Sequence, residues 1–217
     1  MSAAEGERRG SHDKRQRLLE AAGEVFAQRG FKAATIQEIS QRAGANIASV
    51  NYHFRDKETL YREVFRYALE QSQERYVSYP VDSSERRPAH KLKLELRRYL
   101  DVMFSQERAP WQAMMFFREM LEPSDVFNSL VEERMRPYQE LIESMIRDVV
   151  GPQVEQNLIR FSAFAAISFC GSFRTLQNYL KQLFPDGRVS AESSDELAEL
   201  ITRFVLGGTR ALKLPLK

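Results

Sequence analysis

From His12 to Arg29 the apolar positions Leu18, Ala22, Val25 and Phe26 recur at i, i+4, i+7 and i+8, one stripe of a helix. Gly30 stands where a left-handed C-terminal cap would close it. Thr35-Ile36-Gln37-Glu38 then has the capping-box form, in which the hydroxyl and the carboxylate reciprocally take up free backbone N–H groups. It predicts a short helix with Ile36, Ile39 and Ala43 inward, ended by Gly44. The next run, Asn46 to Phe54, is unusual. Val50 and Phe54 make one narrow apolar stripe, and Asn46, Ser49, Asn51, Tyr52 and His53 fill most of the remaining surface. Ile47 can join Val50 at i+3 or lie among the polar positions. So little apolar surface buries little, so the polar residues call for another explanation.

Asp56 is placed to cap a fourth helix with Leu60, Val64, Phe65, Ala68 and Leu69 inward, running to Pro80. PVDSSERRPA at 80–89 reads as a connection. KLKLEL at 91–96 alternates like a strand, but Leu92, Leu96, Tyr99 and Met103 sustain a helical period beyond it, so length decides for helix. Pro110 suits a first helical turn, and the Met- and aromatic-rich stretch 111–121 follows. Residues 125–150 read as a helix kinked or broken at Pro137, and 154–184 as one long helix with Ala163, Ala165, Ala166, Ser168 and Gly171 along it. The last helix starts at a second capping-box sequence, Ser193 to Glu196, and runs to about Leu212. No strand emerges. The chain reads as all-α, with about nine helices.

Composition sharpens this picture by exclusion. The chain has 217 residues, enough to bury a sizeable core, and a formal net charge of only +2. Residues 1–60 hold ten Lys and Arg against eight Asp and Glu, so any positive field lies in the first quarter. Residues 1–11 carry no periodicity and read as a disordered tail. The single cysteine, Cys170, rules out an intramolecular disulfide and suits a reducing, cytoplasmic setting. The most apolar run, FSAFAAISFC, is about half of the ~20 residues a membrane span needs, so no membrane association is expected. His12, His53 and His90 fall in a tail, a short helix and a linker edge. They assemble no Ser/His/Asp or Cys/His set and no metal site, and no glycine-rich phosphate loop is present. No cofactor and no enzymatic activity are expected.

A capped helix at 35–43, a tight glycine turn and a polar helix at 46–54 make a helix-turn-helix, with the 12–29 helix in support. A second helix of that motif must offer short hydrogen-bonding side chains to base edges while a few apolar residues anchor it. Asn51 can pair bidentately with adenine. Ser49 can bond base edges or phosphate, and Tyr52, His53 and Lys57 are placed to reach phosphates. Lys14 and Arg15 read as solvated charge, with DNA contact as the alternative.

The run G30-F31-x-x-A34-T35-I36-x-x-I39-x-x-x-A43-G44, followed by S49-V50-N51-Y52-H53-F54-x-D56-K57-E58-x-L60, resembles the DNA-binding domain of the TetR family of bacterial regulators. The resemblance covers about residues 12–65. It implies a three-helix DNA-binding domain at 12–56 and a C-terminal effector-binding and dimerisation domain at 57–217. Double-stranded operator DNA, a small-molecule effector and a second copy of the chain are the implied partners. The dimer would form through the last two long helices, about 154–184 and 194–212, with the small residues at 163–171 in its seam. Carried over by position, Thr35, Asn46, Ile47, Ala48, Ser49, Asn51, Tyr52, His53 and Lys57 are the expected DNA-contact residues. The pattern departs at Asn51, where an aromatic residue is commoner, and at Ile47, often polar or basic. FFREMLEPSDVF at 116–127 and the Asn46-Ile47-Ala48 start are similar to a CecR-like subgroup, whose members regulate efflux and transport genes.

The function expected is therefore a homodimeric transcriptional repressor, released from a pseudo-palindromic operator by a small apolar or aromatic effector. An architectural DNA-binding protein without effector and an α-helical enzyme are the alternatives. The cluster Met103, Phe104, Trp111, Met114, Met115 and Phe117 reads first as core, and with Arg118 as candidate lining of an effector pocket. An ion pair is the other use of Arg118.

Overall fold

The computed structural model describes residues 3–78, 86–105, 109–185 and 193–212, and the side chains described exclude those of 3–12, 72–78 and 174. In chain order the helices are α1 (Ala3–Ala33), α2 (Ile36–Arg42), α3 (Ile47–Phe54), α4 (Lys57–Ser78), α5 (Pro88–Phe104) and α6 (Pro110–Leu121). Then come α7 (Phe127–Leu130), α8 (Arg136–Val150), α9 (Gln156–Thr175), α10 (Gln177–Leu183) and α11 (Ser194–Leu212), with a π-helical turn at Val131–Met135. The described residues contain no strand, and no helix among them is long and apolar enough to cross a membrane.

Contacts divide the chain into two units, 1–73 with 107–128, and 74–106 with 129–217. Where the resemblance implies a boundary at 56/57, this grouping keeps residues 57–73 of α4, and also α6, with the N-terminal helices. In the first unit Leu18, Ala22, Val25 and Phe26 of α1 are buried, as their spacing predicts, together with Ile39, Val50, Phe54, Leu60 and Val64. Tyr61 joins them, edge-on to Phe26 at 4.8 Å between ring centres. Trp111 and Met115 of α6 complete this core, and Gly23 of α1 leaves the room that Trp111 fills: a Cβ there would stand 2.5 Å from the indole.

Two polar staples hold α6 in place. The Arg118 guanidinium donates from Nε to the Ala27 carbonyl at 2.7 Å and from Nη2 to that of Gln28 at 2.9 Å. These carbonyls lie in the last turn before Gly30, where helix carbonyls lack intrahelical partners and a cation is favoured. The Tyr61 hydroxyl donates to the fully buried Glu119 carboxylate at 2.8 Å, and the Ser124 N–H and hydroxyl bond its other oxygen at 2.8 and 2.7 Å. Burial and this carboxylate push the Tyr61 pKa up.

Gly30 is where the sequence and the structure part in detail. Its φ of 76° is positive as expected, but ψ is 169°, an extended conformation essentially confined to glycine. The chain therefore kinks at Gly30 and makes one more turn to Ala33, rather than stopping in a left-handed cap. At the other end α1 begins at Ala3, so helix covers most of the stretch 1–11 that the composition marks as tail.

The second unit is built on α5, α8, α9 and α11. Leu92, Leu96 and Leu100 of α5, Ile142 and Ile146 of α8, and Leu197, Ile201 and Val205 of α11 meet in one core around Ala163 and Ala166. Those two small residues are wholly buried inside the subunit, and this corrects their expected place in a dimer seam: their size lets neighbouring helices approach α9. Pro137 lies in the first turn of α8, where it needs no hydrogen-bonded N–H, and the π turn before it absorbs the break. The expected single helix 154–184 divides at Leu176. Just before it, Ser172 Oγ and Thr175 Oγ1 bond the carbonyls four residues back, side-chain bonds of a kind that often bends helices. The connection expected at 80–89 lies, for 80–85, outside the described residues.

Candidate nucleic-acid interface

The second and third helices are fixed at their starts by local hydrogen bonds. Thr35 Oγ1 accepts from the Glu38 N–H at 3.1 Å, while the Glu38 carboxylate turns to Arg29 at 3.3 Å instead of closing the capping box. Gly44, at φ 61°, makes the turn. Asn46 Oδ1 accepts from the Ser49 N–H at 2.8 Å and starts α3. Arg55 ends it at φ 57°, and the Asp56 N–H bonds the Phe54 carbonyl, a tight three-residue turn of the rare, strained kind. Asp56 Oδ1 then accepts from the Thr59 N–H at 2.7 Å, and that bond first of all holds the Asp56 carboxyl below its usual pKa.

Eight residues at about 100° each sort α3 into faces. Val50 and Phe54 are buried against the unit. Ala48, Asn51, Tyr52 and Arg55 are exposed on the far side, Tyr52 at 84%. Among the described residues the Asn51 side chain makes no hydrogen bond, so its amide is available to a partner. Ile47 is 46% exposed and outside the core. Asn46, Ser49 and His53 form a flank at i, i+3 and i+7, and the His53 ring lies edge-on to Tyr52 at 5.2 Å. Burial, then the charges of Arg15 and Lys14, hold the His53 pKa below its ordinary value.

The structure thus brings Asn46, Ile47, Ala48, Ser49, Asn51, Tyr52 and His53 onto one short helix and sets Thr35 at the exposed start of α2. Lys57 has a further use. Its Nζ donates to the Ala34 and Lys32 carbonyls at 3.0 and 3.3 Å and stands 4.8 Å from the Phe31 ring centre, tying the start of α4 to the corner between α1 and α2. Arg15 lies over the Phe54 ring at 5.3 Å and pairs with Glu63. Arg17 went unremarked in the motif comparison, yet Lys14 and Arg17 line a cleft of about 220 Å³ with Asn46 and Ser49. The signal that could have found it is the basic run at 14, 15 and 17 one helical turn before the first buried leucine.

The candidate pocket residues are divided. Met103 and Phe104 belong to the second unit. In the first unit Trp111 and Met115 are core, Met114 and Phe117 are exposed on α6, and Arg118 is spent on the α1 carbonyls.

The family models that match divide the chain differently, taking α6 together with the helices that follow it. Residues 18–64 match the family model of bacterial regulatory proteins of the tetR family, and residues 88–209 match the C-terminal domain of the HTH-type transcriptional dual regulator CecR. The HTH-type transcriptional repressor KstR2 of Mycolicibacterium smegmatis is 42% identical over 53 residues. That match spans 24% of this chain and 26% of that protein. Over the whole fold, a TetR-like transcriptional regulator from Rhodococcus sp. RHA1 superposes with a TM-score of 0.65 at 16% identity, over 90% of this chain and 94% of the other. AibR, solved in complex with isovaleryl coenzyme A and operator DNA, gives 0.63 at 17% identity, over 88% and 97%.

Proposed function

This chain belongs to the TetR family of bacterial transcriptional regulators, with a CecR-type C-terminal domain, and from that premise we propose that it is a homodimeric, effector-responsive repressor of a pseudo-palindromic operator. The observation that carries the DNA side of the reading is the partition of α3: two buried anchors, and an outward face of Ala48, Asn51 and Tyr52 with nothing of the described fold upon it. Asn51 and Ser49 read base edges in the major groove, and exposed Ile47 meets a thymine methyl. Thr35, Tyr52 and His53 contact phosphates. Lys57, with two of its three donors engaged by carbonyls, keeps one for the backbone. Asn46 sets the start of the helix through its cap and borders the same groove.

The dimer face is proposed on α9 and α11. Phe161, Phe164, Leu200 and Phe204 are each 60% or more exposed, and Phe169 packs edge-on to Phe204 at 5.5 Å between ring centres. Monomeric soluble proteins rarely leave so large an apolar patch in water, and a two-fold axis would bury it against its own copy. The effector is proposed to be a small apolar or aromatic molecule bound by the C-terminal domain, near Met103 and Phe104. A neighbour of this fold crystallised with an acyl-coenzyme A and operator DNA supports the idea that one such chain serves both ligands.

The effector would bind better to a conformation whose recognition helices are wrongly spaced for DNA, with α4 as the lever. Linkage then requires operator DNA to weaken effector binding by the factor by which effector weakens operator binding, typically worth about 1–3 kcal/mol. Effector affinity measured by calorimetry with and without saturating operator tests this. Equal affinities in the two titrations would refute the release mechanism.

A further inference from the structure

The cleft beside the amino end of α3 joins Asn46 and Ser49 to two cations of α1 that have no place in the contacts above. It is lined by Lys14 and Arg17 of α1 and by Asn46 and Ser49, with Leu18 and the turn at 43–45 completing its wall, and encloses about 220 Å³. Both cations are exposed, and among the described residues neither is paired with a carboxylate. Their neighbours contrast with them: Arg15 is held by Glu63, Arg29 by Glu38 and Arg42 by Glu24. The cap taken by Asn46 Oδ1 leaves its Nδ2 a donor, and the N–H groups of Ile47 and Ala48 precede the first intrahelical bond. Two cations, the Asn46 amide and the Ser49 hydroxyl line it, and among the described residues no acidic side chain does. Such a wall fits a phosphate oxyanion.

Its position selects the source of that oxyanion. Asn46, Ser49 and His53 are the flank of α3 next to the outward face of Ala48 and Tyr52, so a duplex lying on that face brings one strand's backbone to the same side. The positive field of Lys14 and Arg15 already reaches this flank, because after burial it is what lowers the His53 pKa. We propose that Lys14 and Arg17 clamp one operator backbone phosphate against the start of α3, adding affinity and register but no base preference. This rests on the DNA-binding reading above.

The full-length protein is titrated with operator fragment by fluorescence anisotropy from 50 to 200 mM KCl, comparing wild type, the double variant Lys14→Gln/Arg17→Gln, and Arg66→Gln on α4 as a control for loss of a surface cation. Losing one phosphate contact makes the log–log salt slope shallower by about 0.9 and weakens binding roughly fivefold near 150 mM salt, the factor that this slope implies against 1 M. The double variant shows both effects with an unchanged preference across operator positions and an unchanged melting temperature, and Arg66→Gln keeps the wild-type slope. A double variant with wild-type slope, while the wild type binds operator, overturns the clamp and leaves the regulator reading standing. Stabilisation of the wild type but not the double variant by 10 mM inorganic phosphate, with equal slopes, would assign the cleft to a free anion and also overturn it. A wild type that binds no operator fragment overturns both.

Discussion

Asn51 is the residue on which the proposed readout of operator sequence turns. Its amide is exposed and makes no hydrogen bond among the described residues, and it can offer the donor and acceptor that adenine presents in reverse. Asn51→Ala should shift base preference at one operator position by about 1–3 kcal/mol, read as relative affinities across single-base operator variants. An unchanged profile at every position would remove it from base readout. His53 makes a different prediction, through pH. Its folded-state pKa lies below the ordinary 6.5, first because of burial and then because Arg15 and Lys14 repel the proton. A lowered folded value means that its contribution to stability is complete above 6.5 and is lost as the pH falls through the folded value. Thermal melts between pH 7.5 and 5 should therefore show a smaller fall in Tm for His53→Gln than for wild type. Parallel falls would contradict the assignment. Cys170 contributes no such switch, since burial pushes its thiol up to about 12.

At the scale of elements, the glycine at 23 fixes how α6 meets α1. Gly23→Ala places a Cβ 2.5 Å from the Trp111 ring, and overpacking of that kind costs about 1–3 kcal/mol. A lowered Tm is expected, and an unchanged one would mean that Trp111 has another place to go. This contact also shows where sequence reading stops. The capped α2, the turn at Gly44 and the two-anchor pattern of α3 were legible because caps and helical stripes are written within a few residues. Arg118 bonding a carbonyl 91 residues earlier, and Tyr61 bonding a carboxylate 58 residues later, leave no such local trace. Hence Arg118 reads from sequence as an ion pair first and a ligand contact second, and its bonds to the α1 carbonyls are not foreseen. Lys57 was legible as a cation at the start of α4, whereas its bonds to the α1–α2 corner depend on how three helices meet. Ala163 and Ala166 of α9 were misplaced for a related reason: their spacing marks a face, but only the packing of α5, α8 and α11 says what covers it.

For the whole molecule, the exposed phenylalanines of α9 and α11 and the polar face of α3 make joint demands on the assembly. A two-fold dimer presents α3 twice, and two such helices reach successive major grooves only when the half-sites lie about 34–36 Å, or one helical turn, apart. The proposed dimer therefore calls for a pseudo-palindromic operator, whose spacing reports the dimer as well as the readout. The most direct test is selection of genomic DNA fragments by the purified full-length protein at near-physiological salt, followed by sequencing. The result predicted is strong enrichment of a pseudo-palindromic site whose half-site centres are about one helical turn apart. Recovery of fragments in proportion to their abundance, with no shared site, would contradict the account.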